Sequence, residues 1–187
     1  MMLRAVTCLA FMTLGSCAGA APTGVSLGFS SYESTPVVVT DFSLNDAGFG
    51  MVPLVVDGRA EMRPNEGLSR MDMTAGGRGS SYRLSAKWVD LTTGKAWAAE
   101  VAVPVKPLNR IDGGRVELAP VFGPNGLLIV TSDRMTGAGA GEKVDVARVC
   151  AKADPAGDRD YRKDPGALPG LRESLGGKRP SATVKMC

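Results

Sequence analysis

Few residues in this chain are equipped for chemistry, and the missing types narrow the field as much as the ones present. The 187-residue sequence contains no histidine. Neither a Ser-His-Asp nor a Cys-His nucleophile can therefore be assembled. There are four cysteines, Cys8, Cys17, Cys150 and Cys187. Isolated cysteines without histidine do not make a zinc cage, so neither a metal nor any other cofactor is expected. The densest carboxylates are Asp154, Asp158, Asp160 and Asp164, the candidates for a glycosidase-type acid pair. They are interleaved with Arg159, Arg162 and Lys163, which is the pattern of a solvated charged loop. Asp154-Pro155-Ala156-Gly157-Asp158 does not supply the regular oxygens of a calcium loop. Ala75-Gly76-Gly77-Arg78-Gly79-Ser80-Ser81 is rich in glycine but lacks the Lys-Ser/Thr ending of a phosphate cradle. No catalytic residue is assigned, and the protein is not expected to be an enzyme.

Cys17 is different, because its surroundings specify a reaction. Ala5 to Leu14 is an apolar run preceded by Arg4, the only charge before Glu33. A positive start followed by roughly 7–15 apolar residues is a secretory signal, too short for a stable membrane-spanning helix. Leu14-Gly15-Ser16-Cys17 closes that run and resembles a lipobox. The small Gly15 and Ser16 let an extended chain enter a peptidase cleft, and the Cys17 thiolate accepts a diacylglycerol. The expectation is cleavage before Cys17, with 1–16 as signal peptide and 17–24 as a lipidated tether carrying palmitate-type chains. One acyl chain holds a protein only marginally, whereas several anchor it stably. Ala18 follows Cys17 in place of the aspartate that retains such proteins in the inner membrane. This points to the periplasmic face of the outer membrane, with the bilayer itself as the first partner. Ala18-Gly19-Ala20 is also an A-x-A site, and cleavage after Ala20 would release a soluble periplasmic or secreted protein instead.

The part remaining after Cys17 is long enough for one domain with a substantial core. Gly 24 and Pro 12 argue against long helices. Losing Arg4 from the 22 Lys+Arg leaves a net charge of +2 against 19 Asp+Glu. The tail from Arg148 onward is basic and the body slightly acidic. This asymmetry falls short of the dense basic face that nucleic acid requires, and no nucleic-acid partner is expected. Once Cys8 leaves with the signal and Cys17 takes lipid, Cys150 and Cys187 remain as an even pair in an oxidising compartment. They are expected to form one disulfide.

The elements around these residues read as strands. Val25, Leu27 and Phe29 alternate with Ser26, Gly28 and Ser30. Val37 to Leu44 is a β-branched run fit for a central strand, Met51 to Val56 is another, and Asp57-Gly58 signals a hairpin into Arg59-Ala60-Glu61-Met62. Tyr82, Leu84, Ala86 and Trp88 share one strand face. After the turn Asp90-Leu91-Thr92-Thr93-Gly94, Trp97, Ala99, Val101, Val103 and Val105 alternate on the return strand. Trp88 and Trp97 are read as core residues, with an aromatic binding platform as the functional alternative. Arg115 to Leu118 and Leu127 to Thr131 flank the turn Gly123-Pro124-Asn125-Gly126. Lys143 to Cys150 is a further strand, and Leu168 to Leu175 a short helix. Seven or eight short strands at regular spacing predict an all-β fold, an antiparallel β-sandwich (immunoglobulin-like or a partly open barrel). The sandwich is expected over 25–135. Residues 136–187 are expected to supply a flexible link and a loop-rich, disulfide-closed segment packed on it.

The middle of the chain also resembles a family of proteobacterial lipoproteins of unknown function often encoded beside type VI secretion effectors. The likeness rests on Val37 to Asn45, Gly76-Gly77-Arg78-Gly79, Ala86-Lys87-Trp88, Val101 to Val105 and the turn-strand Gly123 to Ser132, and covers roughly 35–135. Some members of such families are immunity proteins that neutralise a phospholipase effector in the periplasm. Ser80 and Ser81 stand where the family has cysteines, and the basic tail after Arg148 lies outside the pattern. The resemblance implies a membrane-tethered, non-catalytic protein whose partner is an effector blocked by occlusion. The alternative is a structural or assembly lipoprotein of the cell envelope.

Overall fold

A computed structural model describes residues 22–32, 34–45, 47–48, 53–57, 71–74, 80–111, 114–133, 143–177, 179 and 187. The strands are β1 (Gly24–Leu27), β2 (Ser30–Ser31), β3 (Val37–Leu44), β4 (Ala47–Gly48), β5 (Leu54–Val56), β6 (Met71–Thr74) and β7 (Ser81–Asp90). They continue as β8 (Ala96–Pro104), β9 (Arg110–Ile111), β10 (Arg115–Phe122), β11 (Leu127–Asp133), β12 (Lys143–Cys150) and β13 (Lys152–Ala153), and one short helix follows, α1 (Leu171–Gly176). Two sheets pack together as an open sandwich. The first runs β12-β11-β10-β1-β6, with β2 and β9 also paired to β10. The second runs β13-β8-β7-β3-β4, with β5 paired to β3.

The pairing is antiparallel except along β10, where β1 and β2 run parallel. These two are one strand in a constant register, with Leu27 opposite Leu118 and Ser30 opposite Val121. The interruption falls beside Pro120, which has no N–H to donate to a ladder. The chain stays attached on either side of it, through Gly28 N donating to Leu118 O (3.1 Å) and Tyr32 N donating to Phe122 O (2.9 Å).

Alternation places the core. Val25, Leu27, Phe29, Val116, Leu118, Phe122, Leu128 and Val130 point inward from the first sheet. Val37, Val39, Phe42, Leu44, Tyr82, Leu84, Ala86, Trp88 and Val103 meet them from the second. In β3 a register irregularity between Val39 and Asp41 leaves Thr40 and Asp41 both exposed and returns Phe42 to the interior. Two aromatic pairs bridge the sheets, Phe29 edge-on to Phe42 and Trp88 tilted on Phe122, each with centroids 5.0 Å apart. Ser31 adds a polar bridge, its Oγ donating to Val56 O (3.2 Å).

The β7–β8 hairpin turns at Asp90, whose Oδ1 accepts from Thr92 N (2.7 Å) and from Thr92 Oγ1 (2.7 Å). Gly94 closes this turn with φ +73°, a left-handed conformation that glycine adopts without a Cβ penalty. After β12 the chain changes sheets. Ala151 N donates to Gly126 O (2.8 Å), and β13 then pairs with Ala98 and Trp97 of β8. One side of the sandwich is thus stitched by a continuous stretch of chain. The strand Lys143–Cys150 is a member of the first sheet rather than an appendage to it. Gly58 and the return strand expected at Arg59 to Met62, like the glycine-rich stretch 75–79, lie outside the described residues.

Candidate functional site

Cys17 and its motif Leu14-Gly15-Ser16 lie outside the described residues, as does Cys8. Cys150 and Cys187 are bonded to each other, with Cα atoms 5.5 Å apart. The bridge fastens Cys187 to the end of β12, where the strand leaves the first sheet.

Residues 154–175 lie over part of the second sheet's outer face. Val38, Val89, Leu91 and Ala96 point outward there and are buried under Tyr161 and Leu171, with Leu168 and Leu175 packed alongside. Polar groups register this cover on the hairpin below. Asp158 Oδ1 accepts from Ala96 N (2.7 Å), Arg159 N donates to Gly94 O (2.9 Å) and Asp154 N donates to Ala96 O (2.9 Å). Arg162 donates to Thr92 O (2.6 Å), and the Arg159 guanidinium sits 4.7 Å from the centre of the Tyr161 ring. Arg179 holds Asp57 through both guanidinium nitrogens. Three of the four acidic residues singled out as possible catalysts have structural partners here. Asp158 pins a strand, Asp160 caps the turn at Tyr161–Lys163 by accepting from Arg162 N (3.1 Å), and Asp154 lies 3.8 Å from Lys87.

The other end of the same face is open. A shallow groove of about 410 Å³ runs over it, rimmed by Asp41, Lys87, Glu100 and Lys152, with Ser85 and Ala98 in its floor. A second depression of about 520 Å³ shares Glu100 and continues towards Arg83 and Asn45. The charges on the rim are of both signs and partly matched: Arg83 Nε is 3.9 Å from Glu100, and Lys87 is 3.8 Å from Asp154. Cys150 lines the groove beside Lys152, so the disulfide marks one wall. Small floor residues and mixed, exposed charges give a surface suited to contact with a folded or extended polypeptide, since they offer polar partners without enclosing a small ligand.

The tryptophans are not part of this surface. Trp88 is fully buried against Phe122. Trp97 lies against Gly126, where a Cβ would fall 2.5 Å from the indole ring. The turn residue before it, Asn125, is also left-handed at φ 53°. The turn foreseen at Gly123 to Gly126 thus gives the indole a flat backbone to lie against.

Sequence reasoning missed one polar cluster, on the outer face of the first sheet. Glu117 is only 4% exposed although it interrupts the apolar run Val116 to Phe122. Asn109 wedges in where β10 and β11 part. Its Nδ2 donates to Glu117 Oε2 (3.2 Å), its O accepts from Glu117 N (2.9 Å) and its N donates to Ser132 Oγ (2.8 Å). Ser132 Oγ in turn donates to Glu117 O (2.8 Å). Burial pushes the Glu117 carboxyl above its ordinary range; the Asn109 hydrogen bond opposes this and the nearby Asp133 adds to it. Lys143 lies 4.0 Å from Asp133, and burial lowers its ammonium below the usual lysine value. The signal available in the sequence was the interruption of Val116 to Phe122 by a single carboxylate. Among the described residues, no group of three or more Cys, Asp or Glu side chains is placed to hold a metal ion.

Comparison with protein-family models, with curated proteins and with solved structures gives no match.

Proposed function

We propose that the protein is a lipid-tethered, non-catalytic binder of another protein in the bacterial envelope. The observation that carries this reading is Leu14-Gly15-Ser16-Cys17 at the end of a charged-then-apolar leader. The open half of the second sheet's outer face supports it, because a rigid sheet bearing short and charged side chains docks a polypeptide without rearranging. The neighbouring half is already occupied by the chain's own C-terminal segment, so the partner's footprint is bounded by Tyr161 and α1 on one side. On the resemblance to lipoproteins encoded beside type VI effectors, the partner is a toxic effector whose active site is covered by docking. Tethering places such a binder where a membrane-directed toxin acts.

Two arms test this. The intact chain and its Cys17→Ser variant are expressed in a Gram-negative host with a fatty-acid analogue, and the envelope is fractionated. Label on the wild type alone, in the outer membrane, is the expected result. An unlabelled soluble product beginning at Ala21 would end the tether reading. For the partner, the product of an adjacent effector gene is mixed with the purified protein. A one-to-one complex weakened by charge reversal at Lys87 and Glu100 is expected. Unimpeded toxicity with no complex would end the immunity reading.

A further inference from the structure

We propose that Glu117, Asp133 and Lys143 form a proton-operated fastening of the edge strand β12. With Glu117 protonated, the three side chains together carry no net charge and hold β12 on β11. Loss of that proton leaves net negative charge beneath the strand and loosens it. The inference is independent of any tether or partner.

The geometry supplies the parts. Lys143 opens β12 and stands directly opposite Asp133 in the ladder. Glu117 comes to the same place from β10, where Ser132, the neighbour of Asp133, donates its Oγ to Glu117 O (2.8 Å). The Asp133 and Lys143 side chains are 14% and 18% exposed, so little water screens the group. Two carboxyls therefore face one ammonium in a largely dry setting. Asn109 is uncharged, and its Nδ2 donates to Glu117 in either state. Of the other strands packed here, β1 presents Ser26 opposite Glu117, β9 carries Arg110 and the start of β10 carries Arg115. Arg110 acts on the phenol of Tyr82, and Asp145 of β12 acts on that of Tyr32. Among the described residues, the charges acting on Glu117 are those of Asp133 and Lys143.

The sign follows from linkage. A carboxyl whose value is raised on folding binds its proton more tightly in the folded chain. Its contribution is complete below the ordinary glutamate range and is lost as pH rises through the folded value. Lys143, whose value is lowered, works in the opposite sense, and only on the alkaline side. Between the acid range and neutrality, stability should therefore fall with rising pH, and β12 should loosen before β10.

The test uses the full chain with its disulfide intact. Carboxyl-carbon NMR titration is expected to place the Glu117 midpoint above the ordinary value of about 4.3. A midpoint at or below that value overturns the proposal. Glu117→Gln keeps an uncharged side chain on Asn109 and should flatten the fall of the urea midpoint between about pH 4 and about pH 7. An unchanged fall overturns the proposal. If that variant does not fold, Asp133→Asn is read in its place. Amide protection in β12, corrected for intrinsic exchange, should drop more steeply with pH than in β10. Equal drops would remove the role assigned to β12.

Discussion

The outer face of the second sheet has two ends built on the same three strands, and they differ in what the outward positions carry. At the covered end β3, β7 and β8 turn Val38, Val89 and Ala96 outward, beneath Tyr161 and Leu171. At the open end they turn outward Asp41, Ser85, Lys87 and Glu100. A strand buried on both faces loses its polar alternation, whereas a half-buried one keeps it. Along β7 the change occurs within a few residues, from Arg83-Leu84-Ser85-Ala86-Lys87 to Trp88-Val89. The sequence pattern thus records where the chain covers itself and where it leaves a face to water or to a partner.

That contrast can be broken at the clip, at the cover, at its polar pins and at the open rim. Replacing both Cys150 and Cys187 by serine should have the largest effect. It should lower unfolding free energy by about 3–4 kcal/mol on the loop-entropy account. Urea unfolding measures it, and a loss near zero would mean that the tail constrains the unfolded chain little. Leu171→Ala removes a fully buried side chain from the cover and should cost about 3 kcal/mol. Ser85→Ala at the open end should stay within about 0.5 kcal/mol. Equal losses at both ends would erase the distinction. Asp158→Ala, which leaves Ala96 N without its carboxylate, should cost about 1 kcal/mol and increase exchange at that amide. At the rim, Glu100→Ala breaks an exposed pair with Arg83 and should shift stability by less than about 1 kcal/mol. A larger loss would mean that the rim charges serve the fold rather than a partner.

Local features of the sequence translated well. The β7–β8 hairpin, with its alternating strands about Asp90 to Gly94, stands where the pattern placed it. The even pair Cys150 and Cys187 is a disulfide, and α1 lies inside the stretch Leu168 to Leu175 apart from its final residue, Gly176. Long-range pairing left no such mark. Nothing near Val25 announces that its neighbour will be Val116, or that the two strands will run parallel. Pro120, which splits the first strand's partnership, belongs to a distant segment. The polar tail from Asp154 to Asp164 reads as a solvated loop because its charges outnumber its apolar residues. Only Tyr161 and Leu171, well separated in sequence, reveal that it is a lid on an apolar patch. Glu117 was overlooked for a related reason. One carboxylate in an apolar strand looks like an outward-facing residue until Asn109, Ser132 and Asp133 are brought around it.

The place of β1 within its sheet has a mechanical consequence. β1 is an inner strand, joined to β10 on one side and to β6 on the other. A pull on the chain ahead of Gly24 acts along the strand axis. It loads both ladders at once in shear, instead of peeling hydrogen bonds away one after another. Inner position makes that end of the molecule its strong grip, and a force applied there should be borne by the whole sheet before any strand lets go.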